Sequence, residues 1–169
     1  MSRLGRVGAE TSAGWRSFVR RRTAVFFTFF FPVILIVIFG ALIRTDPTGE
    51  GLFTEPAAYY VPGYLAVVVL FTPLSRMGSE VARHREGSRF EKLATTPLTR
   101  GEWLLAQTAV NAAIIGLASL LILGLVILLT GAQIAFSPLL IPYILIGVVC
   151  FCGVGAMLGS YTDSQDGAV

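Results

Sequence analysis

Few residues in this 169-residue chain have the type and spacing for chemistry, and most of them fall between positions 76 and 102. That stretch holds the only His, His84, and the only Lys, Lys92. A lone His in a polar segment reads as a solvated residue rather than a ligand. A phosphate-binding loop needs Gly-Lys-Ser/Thr, with the Lys reaching the phosphates. Lys92 instead sits between Glu91 and Leu93, so the chain carries no such loop. Cys150 and Cys152 stand two positions apart in an apolar run. On a helix they point in different directions, which disfavours a bridge between them. They read as small apolar packing residues. No set of side chains here forms a catalytic constellation, which argues against a membrane enzyme.

The informative pattern in 76–102 is one of helix signals. Ser88-x-x-Glu91 and Thr99-x-x-Glu102 both fit a capping box, in which two side chains satisfy free amides at a helix start. The first predicts a short helix from about Arg89 to Thr95, with Phe90, Leu93 and Ala94 on one face. Pro97 disfavours helix at Thr96 and ends it. The apolar face of this helix has no obvious partner in the chain. It suits insertion into a groove on another protein, or packing on the membrane surface or on the amino-terminal segment.

The elements that must hold this segment are apolar. Of all residues 54% are hydrophobic and only 14% charged, and no Asp, Glu, Lys or Arg occurs from Trp103 to Thr162. That run far exceeds the ~20 residues of one bilayer crossing. The expected fold is therefore all-α, a polytopic membrane protein with about four transmembrane helices over 23–43, 57–75, 103–130 and 137–160. The segment 76–102 is expected to be a polar loop. Thr23–Ile43 holds fifteen Val, Leu, Ile or Phe residues, with Pro32 placed to kink the helix or to sit near its start. Its apolar run is too long for a cleaved signal peptide. Tyr59, Tyr60 and Tyr64 open the second span like an interfacial aromatic belt. The break between the third and fourth spans falls at Thr130-Gly131-Ala132-Gln133 and Ser137-Pro138. Residues 1–22 form a separate unit. Leu4, Val7, Trp15, Phe18 and Val19 recur near helical spacing among six Arg, as in a helix lying at the membrane surface, with a disordered basic leader as the alternative.

Charge sets the orientation. The amino-terminal segment and 76–102 together hold twelve Lys and Arg, whereas the loops on the opposite side hold only Arg44. By the positive-inside rule the amino terminus and the 76–102 segment face the cytoplasm. No evenly basic face with interleaved aromatics appears, so nucleic acid is not an expected partner. The spans contain no Asp, Glu, His, Lys or Arg. An ion-coupled pathway commonly needs such groups, so any energy for transport must come from elsewhere. Asn111 reads as an interhelical hydrogen-bonding residue or a pathway residue. Gly155-x-x-x-Gly159 offers a small-residue face for close helix packing.

The run Glu86, Gly87, Ser88, Glu91, Leu93, Thr96, Pro97, Leu98, Thr99 and Arg100 resembles the cytoplasmic loop of the type-2 ATP-binding-cassette (ABC) transporter permeases. Phe31-Pro32 and Gly40 in the first span, and Gly155 to Ser160 followed by Asp163 and Gln165, resemble the same family. The resemblance covers nearly the whole chain, through several motifs that are fairly specific only in combination.

This resemblance implies a membrane-spanning subunit of an exporter in the plasma membrane. It implies a separate ATPase partner that binds ATP and magnesium, no cofactor in this chain, and a second permease chain, identical or different. It also implies that Glu86, Gly87, Ser88, Phe90, Glu91 and Leu93 face the ATPase and that Pro97, with Thr96, fixes the exit of the helix. A non-transporting scaffold that recruits a cytoplasmic protein through 88–95 is the competing reading. Family members usually have about six spans, and Asp163–Val169 looks like the lead-in to a fifth, so the chain is expected to be truncated. Nothing in the spans selects a substrate.

Overall fold

The structure, a computed structural model, describes residues 2–38, 57–130 and 137–162. These form α1 (Arg3–Arg20), α2 (Arg22–Val37), α3 (Ala57–Glu86), α4 (Arg89–Ala94), α5 (Arg100–Thr130) and α6 (Leu140–Tyr161). All six elements are α-helical, and there is no strand among the described residues. The helices α3, α5 and α6 are long and apolar enough to cross a bilayer. α2 is equally apolar but has sixteen described residues. The helix runs through Pro32. The remainder of the predicted first span, with Gly40, lies outside the described residues. So do the 44–55 loop, the 131–136 turn and the proposed lead-in 163–169.

The second span departs from expectation. α3 does not stop near Ser75 but continues eleven residues, to Glu86. Met77 and Val81 are buried one turn apart, so the apolar stripe persists beneath the charges. Arg83 bonds the Glu80 carboxylate at i,i+3, and His84 Nδ1 lies 2.8 Å from the Glu80 carbonyl. Arg83 and Arg85 occupy the last turn, where cations complement the helix dipole. A helix of thirty residues is ~45 Å long, against a hydrocarbon core of ~30 Å. α3 and α5 are therefore both longer than one upright crossing of the bilayer requires. The segment 76–102 is thus not a loop but two helical extensions joined by residues 87–99.

Helix contacts follow side-chain size. On α6, a Cβ added to Gly155 would lie 2.5 Å from the Leu74 carbonyl oxygen. One added to Gly159 would overlap the backbone of Gly78. The α3 and α6 backbones thus touch along Gly78, Gly155 and Gly159, as small residues allow in membrane helices. One apolar cluster joins Val61, Leu65 and Val68 of α3 to Ala118, Ile122 and Val126 of α5. A second joins Val69, Met77 and Val81 of α3 to Trp103 and Ile115 of α5 and to Val148 and Cys152 of α6. Cys152 is buried and Cys150 exposed, and both are free thiols.

α1 finds much of its apolar partner in α5. Ser2 starts the helix, its hydroxyl accepting from the Gly5 amide at 3.3 Å. Arg6 then meets Glu102, Gly14 approaches Gln107 and Val110, and Phe18 is buried with Val110 and Ile114. Residue numbers rise together on both helices, so α1 runs alongside the first half of α5. The expectation that its apolar stripe faces the bilayer is corrected for Phe18, while Leu4 and Val19 remain exposed.

Candidate coupling site

The site is built on the polar extensions of α3 and α5. Thr99 and Glu102 form the second capping box: the Thr99 amide donates to Glu102 Oε2 at 2.9 Å, and the Glu102 amide to Thr99 Oγ1 at 3.2 Å. Glu102 also accepts from Arg6 Nη2 at 2.6 Å and from Arg6 Nε at 3.2 Å. This two-pronged contact, through its hydrogen bond first, raises the Arg6 guanidinium pKa above its ordinary value. One carboxylate therefore both starts α5 and ties α1 to it.

The first capping box does not form. Ser88 adopts the left-handed region, with φ of 49°, and its side chain makes no cap hydrogen bond. Ser88 stands in the tight turn that follows Glu86, and its hydroxyl leaves the free amides of α4 uncapped. The helix nonetheless spans Arg89–Ala94, close to expectation. Its far end is closed by the hydroxyls of Thr95 and Thr96. Thr95 Oγ1 donates to the Lys92 carbonyl and Thr96 Oγ1 to the Leu93 carbonyl, each at 2.7 Å. Both carbonyls also accept from the backbone, Lys92 from the Thr95 amide at 3.2 Å and Leu93 from the Thr96 amide at 3.0 Å, as a tightened last turn allows. Thr96 Oγ1 also accepts from the Leu98 amide at 3.4 Å, ahead of the turn into α5.

The apolar face of α4 has a partner inside the chain, contrary to expectation. Phe90 and Leu93 are half-buried against the cluster of Met77, Val81 and Trp103. The Phe90 ring meets Trp103 edge-to-face at 5.3 Å and His84 at 5.3 Å, and His84 lies 4.8 Å from Trp103. Trp103 is buried. The three rings pin α4 to both extensions at once. Glu86 is the last residue of α3 and is exposed, as are Gly87, Ser88, Arg89, Glu91, Lys92, Thr96 and Pro97. Of the residues singled out from sequence, Phe90 and Leu93 thus form the base of α4. Glu86, Gly87, Ser88, Glu91, Thr96 and Pro97 form an open polar surface above it.

A second polar layer lies deeper. Arg76 Nε donates to Asn111 Oδ1 at 2.9 Å, and Asn111 Nδ2 donates to the Gln107 carbonyl at 3.0 Å. The Arg76 guanidinium also sits 4.6 Å from the centre of the Phe18 ring. Arg76 therefore joins α1, α3 and α5 at one level. Arg21 adds an ion pair to Glu80 at 3.6 Å. Arg85 Nη1 donates to the Ser160 carbonyl at the end of α6. These contacts link α1, α3, α5 and α6 at the same end of the molecule. No group of three or more His, Cys, Asp or Glu side chains among the described residues could hold a metal ion.

A family model for ABC-2 type transporters matches residues 6–169, which takes in the whole of this arrangement. The chain belongs to the ABC-2 type transporter family. It is a membrane subunit of that family, a transport component rather than a catalytic one. No curated protein and no solved structure matches the chain.

Proposed function

We propose that this ABC-2 membrane subunit is the permease of an ATP-driven exporter and that α4 is where a separate ATPase subunit docks. The observation that carries the reading is the two-sided build of α4. Its apolar side is fixed to α3 and α5 through Phe90, Leu93 and Trp103, while Arg89, Glu91 and Lys92 point outward unburied. A six-residue helix is too short to persist alone. Fixed in this way, it acts as a rigid handle whose motion reaches the spans. Glu86, Gly87, Ser88 and Glu91 are the contact surface, Phe90 and Leu93 transmit its motion, and Thr96 and Pro97 set the exit. ATP and magnesium belong to the partner, and two permease chains enclose the pathway. The asymmetry of twelve basic residues against one supports a cytoplasmic amino terminus and a cytoplasmic α4, in a plasma-membrane protein.

The test is charge reversal at Glu91. Because that side chain is exposed, Glu91→Arg leaves the fold and membrane insertion intact. It is expected to weaken recovery of a P-loop subunit with the tagged chain from native membranes in mild detergent. Undiminished recovery removes Glu91 from the contact surface.

A further inference from the structure

The α1–α2 corner carries cations that the fold does not use. Arg6 and Arg21 are engaged with Glu102 and Glu80. Arg16, Arg20 and Arg22 are exposed, and among the described residues none of them joins an ion pair. Arg16 and Arg20 stand one turn apart on α1 and so share a face. Arg22 opens α2, and Phe26 and Phe30 follow at successive i+4 steps on the same stripe. Those two rings stack at 4.4 Å and remain 50% and 46% exposed. A guanidinium is thus followed, one and two turns deeper, by an aromatic strip left uncovered within the chain. Cation first and apolar strip second is the order in which a phospholipid presents its phosphate and its acyl chain. Exposed basic residues beside a membrane span attract anionic headgroups, and guanidinium binds phosphate through paired charge-assisted hydrogen bonds.

We propose that Arg16, Arg20 and Arg22 bind the phosphate headgroup of an anionic phospholipid whose acyl chain lies along Phe26 and Phe30. The inference rests on the chain spanning a bilayer and not on coupling to an ATPase, so the two readings fail separately.

The experiment uses the full chain in nanodiscs of phosphatidylcholine with a minor share of phosphatidylglycerol, released into mild detergent and weighed by native mass spectrometry. The intact chain is expected to retain phosphatidylglycerol above its share in the disc. Removing each guanidinium should lower that preference about fivefold, and Arg16→Gln/Arg20→Gln/Arg22→Gln should lower it about a hundredfold. Arg3→Gln, at the far end of α1, should leave it unchanged. Phe30→Ala should lower total lipid retention without changing the headgroup preference. Equal enrichment in the triple variant, or an equal loss with Arg3→Gln, overturns the site in favour of diffuse charge attraction. Displacement of the lipid by excess inorganic phosphate would reveal a bare anion site and overturn the role given to Phe26 and Phe30. If the triple variant does not insert, the single variants decide the question on the same readout.

Discussion

Replacing Phe90 by Ala tests whether α4 is held by its ring contacts. Complete removal of a buried Phe costs ~3–5 kcal/mol. Phe90 is half-buried, so its share is about 2 kcal/mol, of which the edge-to-face pair with Trp103 supplies about 1. A free six-residue helix has no stability of its own to set against that loss. The opening equilibrium of α4 should therefore shift roughly 30-fold toward the open state. Amide hydrogen exchange across 88–98, read by mass spectrometry on the detergent-solubilised chain, measures this directly. The expected result is faster exchange there by about that factor, with the cores of α5 and α6 unchanged. Phe90→Leu, which keeps much of the apolar contact, should fall between. If exchange over 88–98 rises less than about threefold, the rings do not anchor α4, and the route from the open polar face to the spans is lost.

Gly159→Ala should destabilise the protein by about 2 kcal/mol or more, because the new methyl meets the Gly78 backbone. Gly116→Ala, which meets no atom within 4 Å, should be neutral or slightly stabilising; thermal unfolding in detergent compares the two. Asn111→Leu removes the Arg76 partner and should cost about 2 kcal/mol by the same measurement. Thr99→Ala opens the capping box and should cost about 1 kcal/mol, seen as faster hydrogen exchange in the first turn of α5. Arg6→Gln frees α1 from Glu102, so trypsin should cleave at Arg16 and Arg20 faster than in the intact chain.

The spans were legible because a bilayer demands long apolar helices, and α5 and α6 lie close to their expected bounds. The far end of α3 was not. Charge at Arg76, Glu80, Arg83 and Arg85, together with Gly78-Ser79, suggests a loop, yet buried Met77 and Val81 keep a helical period and the helix continues through that pair. Reading that period beneath the charge would have extended the helix. The two capping boxes look alike in sequence but differ in the fold. Thr99 directly precedes α5 and exchanges both cap hydrogen bonds with Glu102, whereas Ser88, in the turn after α3, takes the left-handed region. Turn geometry of this kind depends on how two distant helix ends meet, and local spacing does not report it. The base for Phe90 was hidden for a related reason. Its partners His84 and Trp103 lie on two different helices, and their proximity follows from the antiparallel pairing of α3 and α5. Membership of the ABC-2 type transporter family was legible, because the motif run from Glu86 to Arg100 survives in sequence whatever its local geometry.

The most direct test of the coupling account is site-specific photo-crosslinking in native membranes, with the reactive group at position 91 and a control at position 120. Glu91 is on the open face of α4, and Leu120 is an exposed apolar position within α5. The account predicts a covalent adduct between position 91 and a subunit carrying a P-loop, and none from position 120. An inserted, intact chain that yields no such adduct from position 91 would contradict it.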